Sequence, residues 1–245
     1  MASVTPLTSE LSIVILCYRA GDAVRDFISR TIVILAEGGI PDYELVLVGN
    51  FMEGSGDRTP RIVAELAATY PKVVYLAEPK QGMMGWDMRK GLEKARGAYL
   101  AVIDGDGQMP IADLVKVYTK IKNERLDMVK TYRLQRGDSI LRKTISFIYN
   151  LFFHALFPGL NVRDINAKPK IFTRAVYERM WLESNDWFID AEIMIEARRL
   201  HLRIGEIPTV FLGLTGRRSF VKMRAINEFL INLIRYRIRE FRRTK

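Results

Sequence analysis

Short apolar runs alternate with amphipathic helical patterns along the first half of the chain, and this alternation restricts the fold more than any other feature. Apolar runs predict strands at residues 12–17, 43–48, 73–76 and 99–103. Helical patterns lie between and after them, at residues 23–37, 60–69, 82–96 and 111–123. Four repeats of this kind predict an α/β fold, with a mostly parallel sheet and helices on both faces. Ligands of such sheets bind beyond the carboxyl ends of the strands.

The pattern is less regular beyond residue 127. We expect the following order there: a strand at 128–132, a basic loop, an apolar helix at 141–157, a strand at 164–172, a helix at 190–200 and an extended segment at 203–212. The 245 residues are 49% hydrophobic, which suffices for one large domain with a substantial core. We assign this domain to residues 1–221. Residues 222–245 are predicted to form a basic amphipathic helix, either as part of the same domain or as a membrane-surface contact.

The most informative motif follows the fourth predicted strand, where the chain reads Asp104-Gly-Asp106-Gly-Gln108. Side chains at positions i and i+2 of an extended segment project to the same side, so two carboxylates and an amide can converge on one point. Such hard oxygen ligands favour magnesium, manganese or calcium. The alternative is that Asp104 and Asp106 serve only as turn and helix-cap residues.

The formal charge of +10 indicates an anionic partner, such as a nucleic acid, a phospholipid or a phosphorylated small molecule. Between Lys222 and Lys245, eight basic residues stand against two acidic ones, so most of the basicity is local. Cys17 is the only cysteine, which excludes an internal disulfide. No secretion signal is recognisable at residues 1–10, and no apolar run reaches the roughly 20 residues of a bilayer span. We therefore expect a cytoplasmic protein without a transmembrane helix.

Five motifs together resemble the family 2 inverting glycosyltransferases with a GT-A fold, and among them the dolichyl- and polyprenyl-phosphate mannose or glucose synthases. The resemblance extends over about residues 11–223. The motifs are Ile13-Val-Ile-Leu-Cys-Tyr18, Asp104-Gly-Asp-Gly-Gln-Met-Pro110, Arg142-Lys-Thr-Ile-Ser146, Glu206-Ile-Pro208 and Gly216-Arg-Arg-Ser219. Their order and spacing, rather than any one of them, carry the resemblance.

The resemblance implies a metal-dependent hexosyltransferase. Such an enzyme moves a hexose, mannose or glucose, from a nucleotide-diphosphate sugar to a polyprenyl or dolichyl phosphate. Asp104, Asp106 and Gln108 would then hold Mn²⁺ or Mg²⁺ against the donor diphosphate, with Asp106 counted among the catalytic residues. Losing either carboxylate should reduce the rate, because the ion stabilises charge on the leaving group. The other implied donor contacts are Leu16, Cys17, Tyr18, Asn50, Lys80, Gly82, Lys168, Arg217 and Arg218.

Three segments depart from the family's pattern. Residues 49–52 read Gly-Asn-Phe-Met where Asp-Asp-Gly-Ser is usual, which leaves Asn50 rather than a carboxylate to bind the base. Residues 164–170 keep the leading aspartate of Asp-x-Thr-Ser-Gly-Phe-Arg but place Lys168 and Lys170 after it, as donor contacts or as surface lysines. Leu214 replaces a customary arginine, so Arg217 or Arg218 would substitute.

On the acceptor side, the resemblance implies that Arg133, Arg142 and Ser146 hold the acceptor phosphate, with Lys143 beside them; the alternative is a solvated basic loop. A phosphate monoester is largely ionised at neutral pH, since its second pKa is about 6, and needs no general base. Asp190 and Glu192 match carboxylates that face the transferred sugar. Alternatively, they complement the dipole of the predicted helix.

Residues 145–157 and 226–243 carry apolar side chains at helical spacing. Such stripes usually pack in a core, but the first also has Phe147, Phe153 and Phe157 on its neighbouring face, and the second is interspersed with arginines. We expect peripheral contact with an anionic membrane surface rather than with nucleic acid, because few aromatic residues are available for base stacking. Two other functions stay open. One is transfer to a glycan hydroxyl, with Asp190 or Glu192 as general base. The other is a catalytically idle GT-A binding protein.

Overall fold

The computed structural model describes residues 9–136, 140–212 and 223–243, with side chains for residues 9–134, 146–212 and 229–240. Its strands are β1 (Ser9–Leu16), β2 (Tyr43–Val48), β3 (Val73–Leu76), β4 (Gly97–Asp104), β5 (Met128–Arg136), β6 (Lys170–Thr173) and β7 (Ile204–Phe211). Its helices are α1 (Ala23–Glu37), α2 (Thr59–Thr69), α3 (Met84–Lys94), α4 (Ala112–Asn123), α5 (Ile140–Leu156), α6 (Arg174–Tyr177), α7 (Ile189–Arg199) and α8 (Met223–Arg243).

The described strands form a seven-stranded sheet in the order β3-β2-β1-β4-β6-β5-β7. Neighbouring strands are parallel except at β6, which runs antiparallel to both β4 and β5. Alternate strand residues point to opposite faces. Val14, Val46 and Val102 pack on one face, against α3, α5, α7 and α8. Ile13 and Leu45 pack on the other, against α1, α2 and α4. The mostly parallel sheet with helices on both faces is confirmed.

The second half of the sheet differs from the prediction in two strands. Strand β6 begins only at Lys170, because Asp164 bonds to the backbone N–H of Asn166 in a turn and Pro169 has no N–H for the ladder. Strand β5 continues to Arg136, where a basic loop was predicted, because β7 pairs along it as far as Phe211.

The strands that carry the acidic motif and its neighbours end together. Leu16 stands opposite Val48 on one side and Asp104 on the other. Beyond these ends, the backbone N–H of Cys17 donates to Val48 O at 2.9 Å, and that of Gly105 donates to Leu16 O at 2.9 Å. The segments that follow β1, β2 and β4 therefore meet at one edge of the sheet.

Helix α8 packs against α5, with the Tyr149 and Phe229 rings 5.3 Å apart. Leu233 of α8 is fully buried in the core on this face of the sheet. None of the described helices combines the length and the apolar character that a bilayer crossing requires.

Candidate active site

The acidic motif lies at the carboxyl end of β4, where the chain turns away from the sheet. Asp104 ends the strand with its side chain 33% exposed. Asp106 is half-buried, and its Oδ1 accepts a hydrogen bond from the backbone N–H of Gln108 at 3.0 Å. Gly107 has φ +74°, a left-handed conformation that glycine adopts at little cost. The three predicted metal ligands thus lie within one turn at the accessible edge of the sheet.

The oxygen atoms of this turn fit a hard divalent cation, because carboxylate and amide oxygens are the ligands that Mg²⁺ and Mn²⁺ prefer. Two carboxylates do not fill a coordination shell. No cluster of three or more His, Cys, Asp or Glu side chains suited to a metal is found in the described part of the chain. Further ligands would have to be Gln108, water and the oxygens of a bound diphosphate.

A buried chain of alternating charges, Lys170–Asp190–Lys168–Asp104, connects the start of β6 to the acidic turn. We call it the charge ladder. Lys168 Nζ lies 3.2 Å from both carboxylate oxygens of Asp104 and 3.1 Å from Asp190 Oδ2. Lys170 Nζ lies 2.5 Å from Asp190 Oδ1. Lys168, Lys170 and Asp190 are at most 3% exposed, so neither lysine is the surface residue that the sequence left open. Each ammonium can be buried because a carboxylate faces it.

The ladder sets the ionisation of its members. Burial acts to raise the pKa of Asp190, but Lys168 and Lys170 outweigh burial and hold that pKa below its ordinary value. Burial lowers the pKa of Lys170 to about 8, with Lys168 and Lys130 adding to the effect. For Lys168, burial is outweighed by Asp104 and Asp190, which raise its pKa. Asp190 is therefore a weak base that faces two ammonium groups.

Glu192, the other carboxylate predicted to face the sugar, is 1% exposed and forms its hydrogen bonds away from the acidic turn. Its oxygens accept from the backbone N–H groups of Glu183 and Ser184, both at 2.9 Å, and from the Tyr236 hydroxyl at 2.5 Å. Burial raises the pKa of the Glu192 carboxyl. Its contacts join α7 to a loop and to α8 rather than to the acidic turn.

A second polar cluster lies where β1, β2 and β3 end. Asn50 is buried, donating from Nδ2 to Asp87 Oδ1 at 3.0 Å and accepting at Oδ1 from the Glu78 N–H at 2.9 Å. Lys80 forms an ion pair with Asp87 and lies over the Tyr18 ring, 4.2 Å from its centroid. The structure therefore brings together three of the predicted donor residues: Tyr18, Asn50 and Lys80. Asp87, which joins two of them, was missed; an acidic residue on the buried face of α3 was the available signal.

Three predicted donor residues face protein atoms instead. Leu16 and Cys17 are core side chains at 8% and 0% exposure, and burial raises the pKa of the Cys17 thiol to about 12. A Cβ on Gly82 would stand 2.7 Å from Asn185 O, so the close approach that this glycine permits is to that loop. At these positions, only backbone atoms are left to contact a donor.

On the acceptor side, Arg133 and Asp164 form a two-pronged ion pair, with Nε to Oδ2 at 2.7 Å and Nη2 to Oδ1 at 2.9 Å. This pair lies in the wall of a cavity of about 350 Å³. The same wall includes Ser146, which the sequence also assigned to the acceptor phosphate, and Arg163, whose guanidinium lies 4.4 Å from the centroid of the Tyr132 ring. Arg163 was missed in the sequence, where a basic residue directly before Asp164 was the only signal.

The remaining predicted residues lie outside the description. Arg142 belongs to the first turn of α5, but its side chain and that of Lys143 are outside the described side chains. Arg217 and Arg218 lie outside the described residues altogether. The assignment of Arg142 and Lys143 to the acceptor phosphate, and of Arg217 and Arg218 to the donor, stays a prediction.

Helix α5 exposes part of the apolar surface that the sequence left open between core packing and membrane contact. Ile148, Leu151 and Phe152 of the predicted stripe and Phe147 of its neighbouring face are 44–69% exposed, whereas Phe153 of that face is buried at 0%. We call these four exposed residues the exposed stripe of α5. Leu134, another residue that lines the cavity, is also exposed. Helix α8 exposes a comparable stripe, which lines a groove with two arginines: Ile231, Ile234, Arg235, Ile238 and Arg239.

The sequence model of one family, Glycosyl transferase family 2, matches residues 12–185. The chain belongs to this family. The matched residues include the acidic turn, the Asn50 cluster and the Arg133–Asp164 pair.

Curated relatives are similar over most of this chain. A dolichyl-phosphate beta-glucosyltransferase of Trichomonas vaginalis is 28% identical over 204 residues, covering 79% of this chain and 61% of the relative. One from Dictyostelium discoideum is 26% identical, covering 84% of this chain and 67% of the relative. The chain thus spans about three fifths to two thirds of the length of these two relatives.

Among solved structures, glucosyl-3-phosphoglycerate synthase from Mycobacterium tuberculosis, in complex with Mn²⁺, uridine-diphosphate and phosphoglyceric acid, has a TM-score of 0.68. It is 17% identical, with 94% of this chain and 78% of that chain covered. Another structure of the same enzyme holds Mg²⁺ and uridine-diphosphate and also has a TM-score of 0.68. At this identity, the likeness establishes the GT-A-type fold alone.

Proposed function

We propose that this protein is a metal-dependent inverting hexosyltransferase. It would transfer a hexose from a nucleotide-diphosphate sugar to a polyprenyl phosphate. The proposal rests mainly on one observation: both carboxylates that could serve as general base, those of Asp190 and Glu192, are already engaged by protein groups. Asp190 is held between two lysines, and Glu192 is bonded to two backbone amides and a tyrosine. An acceptor hydroxyl would require a free base, whereas a phosphate arrives already ionised.

The acceptor cavity supports the same choice. Arg133 and Arg163 place two guanidinium groups in its wall, and guanidinium is well suited to bind phosphate oxygens. Leu134 and Phe147 line the same cavity with exposed apolar side chains, as an isoprenoid chain next to the phosphate would require. Asp164 fixes the orientation of the Arg133 guanidinium, so less conformational entropy is lost when a phosphate binds.

The donor is proposed to lie across the ends of β1, β2 and β4, with its base near Tyr18, Asn50 and Lys80 and its diphosphate at Asp104, Asp106 and Gln108. A divalent cation bound there would stabilise the charge that develops on the leaving diphosphate. The relatives named as beta-glucosyltransferases favour glucose, and the solved uridine-diphosphate complexes favour a uridine donor.

We further propose that the protein binds an anionic membrane surface through the exposed stripes of α5 and α8. The stripe of α5 adjoins the acceptor cavity, since Phe147 belongs to both. The stripe of α8 is interspersed with arginines, each of which contributes about 1 kcal/mol near an anionic bilayer. A lipid-linked acceptor would then reach the cavity directly from the membrane.

The direct test incubates the protein with Mn²⁺, radiolabelled UDP-glucose or GDP-mannose and a polyprenyl phosphate in detergent, followed by extraction into organic solvent. We expect label in the organic phase that requires both the acceptor and the metal. Label found only in water-soluble glycans would instead indicate a hydroxyl acceptor. Tight binding of the donor without any turnover would indicate an idle binding protein.

A further inference from the structure

The acidic turn already faces a positive charge that belongs to the protein. The Lys168 ammonium bridges both oxygens of Asp104 and one oxygen of Asp190, and its remaining neighbour is Met84 Sδ at 3.3 Å. The residue is 3% exposed, so the ammonium cannot move into solvent without depriving the Asp104 carboxylate of this ion pair and leaving Asp190 with Lys170 alone. Lys168 is therefore a fixed part of the corner where the metal is proposed to bind.

The formal charges of this corner give the ammonium a consequence for metal binding. Lys168 and Lys170 pair with the carboxylates of Asp104 and Asp190, and Asp106 adds a third carboxylate two residues beyond Asp104, so these five side chains carry one net negative charge. A divalent cation alone would turn this into a net positive charge, with the Lys168 ammonium bound to the same carboxylate. A cation that arrives with a diphosphate brings compensating negative charge. Since Coulomb interactions are strong in a partly buried site, this difference has a large effect.

We propose that Lys168 is a resident cation that shares Asp104 with the divalent ion, and that it makes metal binding depend on the donor diphosphate. The proposal rests on the proposed function, because it takes the metal and the diphosphate as ligands of this turn. The acidic turn binds the divalent cation weakly on its own, and a bound diphosphate strengthens this binding. By thermodynamic linkage, the metal strengthens diphosphate binding by the same factor. Lys168 acts through Asp104, so it is a positioning residue.

The test measures the dissociation constant of Mn²⁺ by electron paramagnetic resonance, on the full chain, with and without saturating UDP. In the wild-type protein we expect UDP to tighten Mn²⁺ binding at least tenfold. Lys168→Met keeps the aliphatic stem and removes the charge. We expect it to bind Mn²⁺ alone about tenfold more tightly and to lose a similar factor of the coupling to UDP. Unchanged or weaker binding of Mn²⁺ alone by this variant would overturn the proposal.

Two matched variants separate this effect from damage to the fold. Lys168→Arg keeps the charge and should retain weak binding of Mn²⁺ alone. Lys130→Met removes an equally buried ammonium, which bonds to Glu206 Oε1 at 3.0 Å and Thr131 O at 2.8 Å, so it should leave Mn²⁺ affinity unchanged. If Lys168→Met does not fold, Lys168→Gln addresses the same question.

The outcomes distinguish this inference from the proposed function. A wild-type protein that transfers sugar and binds Mn²⁺, but whose Lys168→Met variant shows unaltered metal affinity, refutes the inference alone. A wild-type protein that binds no Mn²⁺ in either condition refutes the metal-dependent transfer and the inference together.

Discussion

The two halves of the sheet place their charges differently. In the half built from β1, β2 and β4, the strands are apolar towards their carboxyl ends (residues 13–16, 45–48 and 100–103), and charged groups stand at or after those ends, as at Asp104 and Asp106. In the half built from β5, β6 and β7, charges lie within the strands. Lys130 of β5 and Lys170 of β6 stand opposite each other in the strand pairing, and each is no more than 1% exposed. The charged groups at the strand ends are accessible to a ligand, whereas the charged groups within the strands are buried and require ion-pair partners from the protein itself.

The largest effect is expected in the buried half, from Asp190→Asn. It removes the carboxylate between Lys168 and Lys170, and breaking a buried ion pair on one side typically costs about 3–5 kcal/mol. Urea denaturation measures this as a loss in the free energy of unfolding. Glu65→Gln is the control, because it removes an exposed partner of Arg25 and Arg61 and should cost less than about 1 kcal/mol. Equal losses in the two variants would remove the distinction between the halves.

The next effect is expected at the strand ends, from Asp106→Asn. If Asp106 holds the metal as proposed, the loss of its carboxylate should lower kcat/KM for lipid-linked product by about 100-fold or more. The unfolding free energy should change little, because the side chain is only half-buried. Asp26→Asn, on the exposed face of α1, provides the control. Retention of more than a third of the activity would exclude Asp106 from the metal site.

Lys170 gives the buried half a distinctive pH dependence. Its pKa is lowered to about 8 in the folded protein from an ordinary 10.5, so the unfolded chain binds more protons between these values. Stability from this group therefore rises with pH over that window, by about 1–2 kcal/mol between pH 8 and 10. Lys170→Met should flatten the profile measured by thermal unfolding. Asp190, Lys168 and Lys130 face the group, so a profile that is equally steep in the variant would assign the effect to them.

The smallest effect is expected at the exposed stripe of α5. Phe147→Ser combined with Phe152→Ser should reduce sedimentation with vesicles containing anionic phospholipid about fivefold, since two exposed apolar side chains are removed. Val33→Ser on α1 removes an apolar residue of similar exposure from the opposite face of the sheet and should have no effect. Similar losses for both would contradict an oriented membrane contact.

The contrast also explains what the sequence could predict. The strands and helices up to Asn123 follow from periodicity, and α1 and β2 have the predicted bounds, because each element reports its own burial. The acidic turn was predictable for the same reason: its residues are neighbours in the chain. The charge ladder was not, since Lys168 and Asp190 are 22 positions apart and a lysine read alone is expected on the surface. The sequence likewise could not predict which residues of α5 are exposed, because two faces of this helix are apolar and only the tertiary packing determines which face is buried.

The reversed direction of β6 has a topological consequence. Because this strand runs opposite to its neighbours, its amino end lies at the same edge as their carboxyl ends, with Lys170 paired to Val102 just before Asp104. A parallel β6 would have delivered Lys168 and Lys170 to the far edge, a full strand length away. Because of this one reversal, the residues that directly precede β6 lie beside the residues at the end of β4. The segment before β6 therefore adds side chains to an edge that the carboxyl ends of the parallel strands and the loops after them also supply.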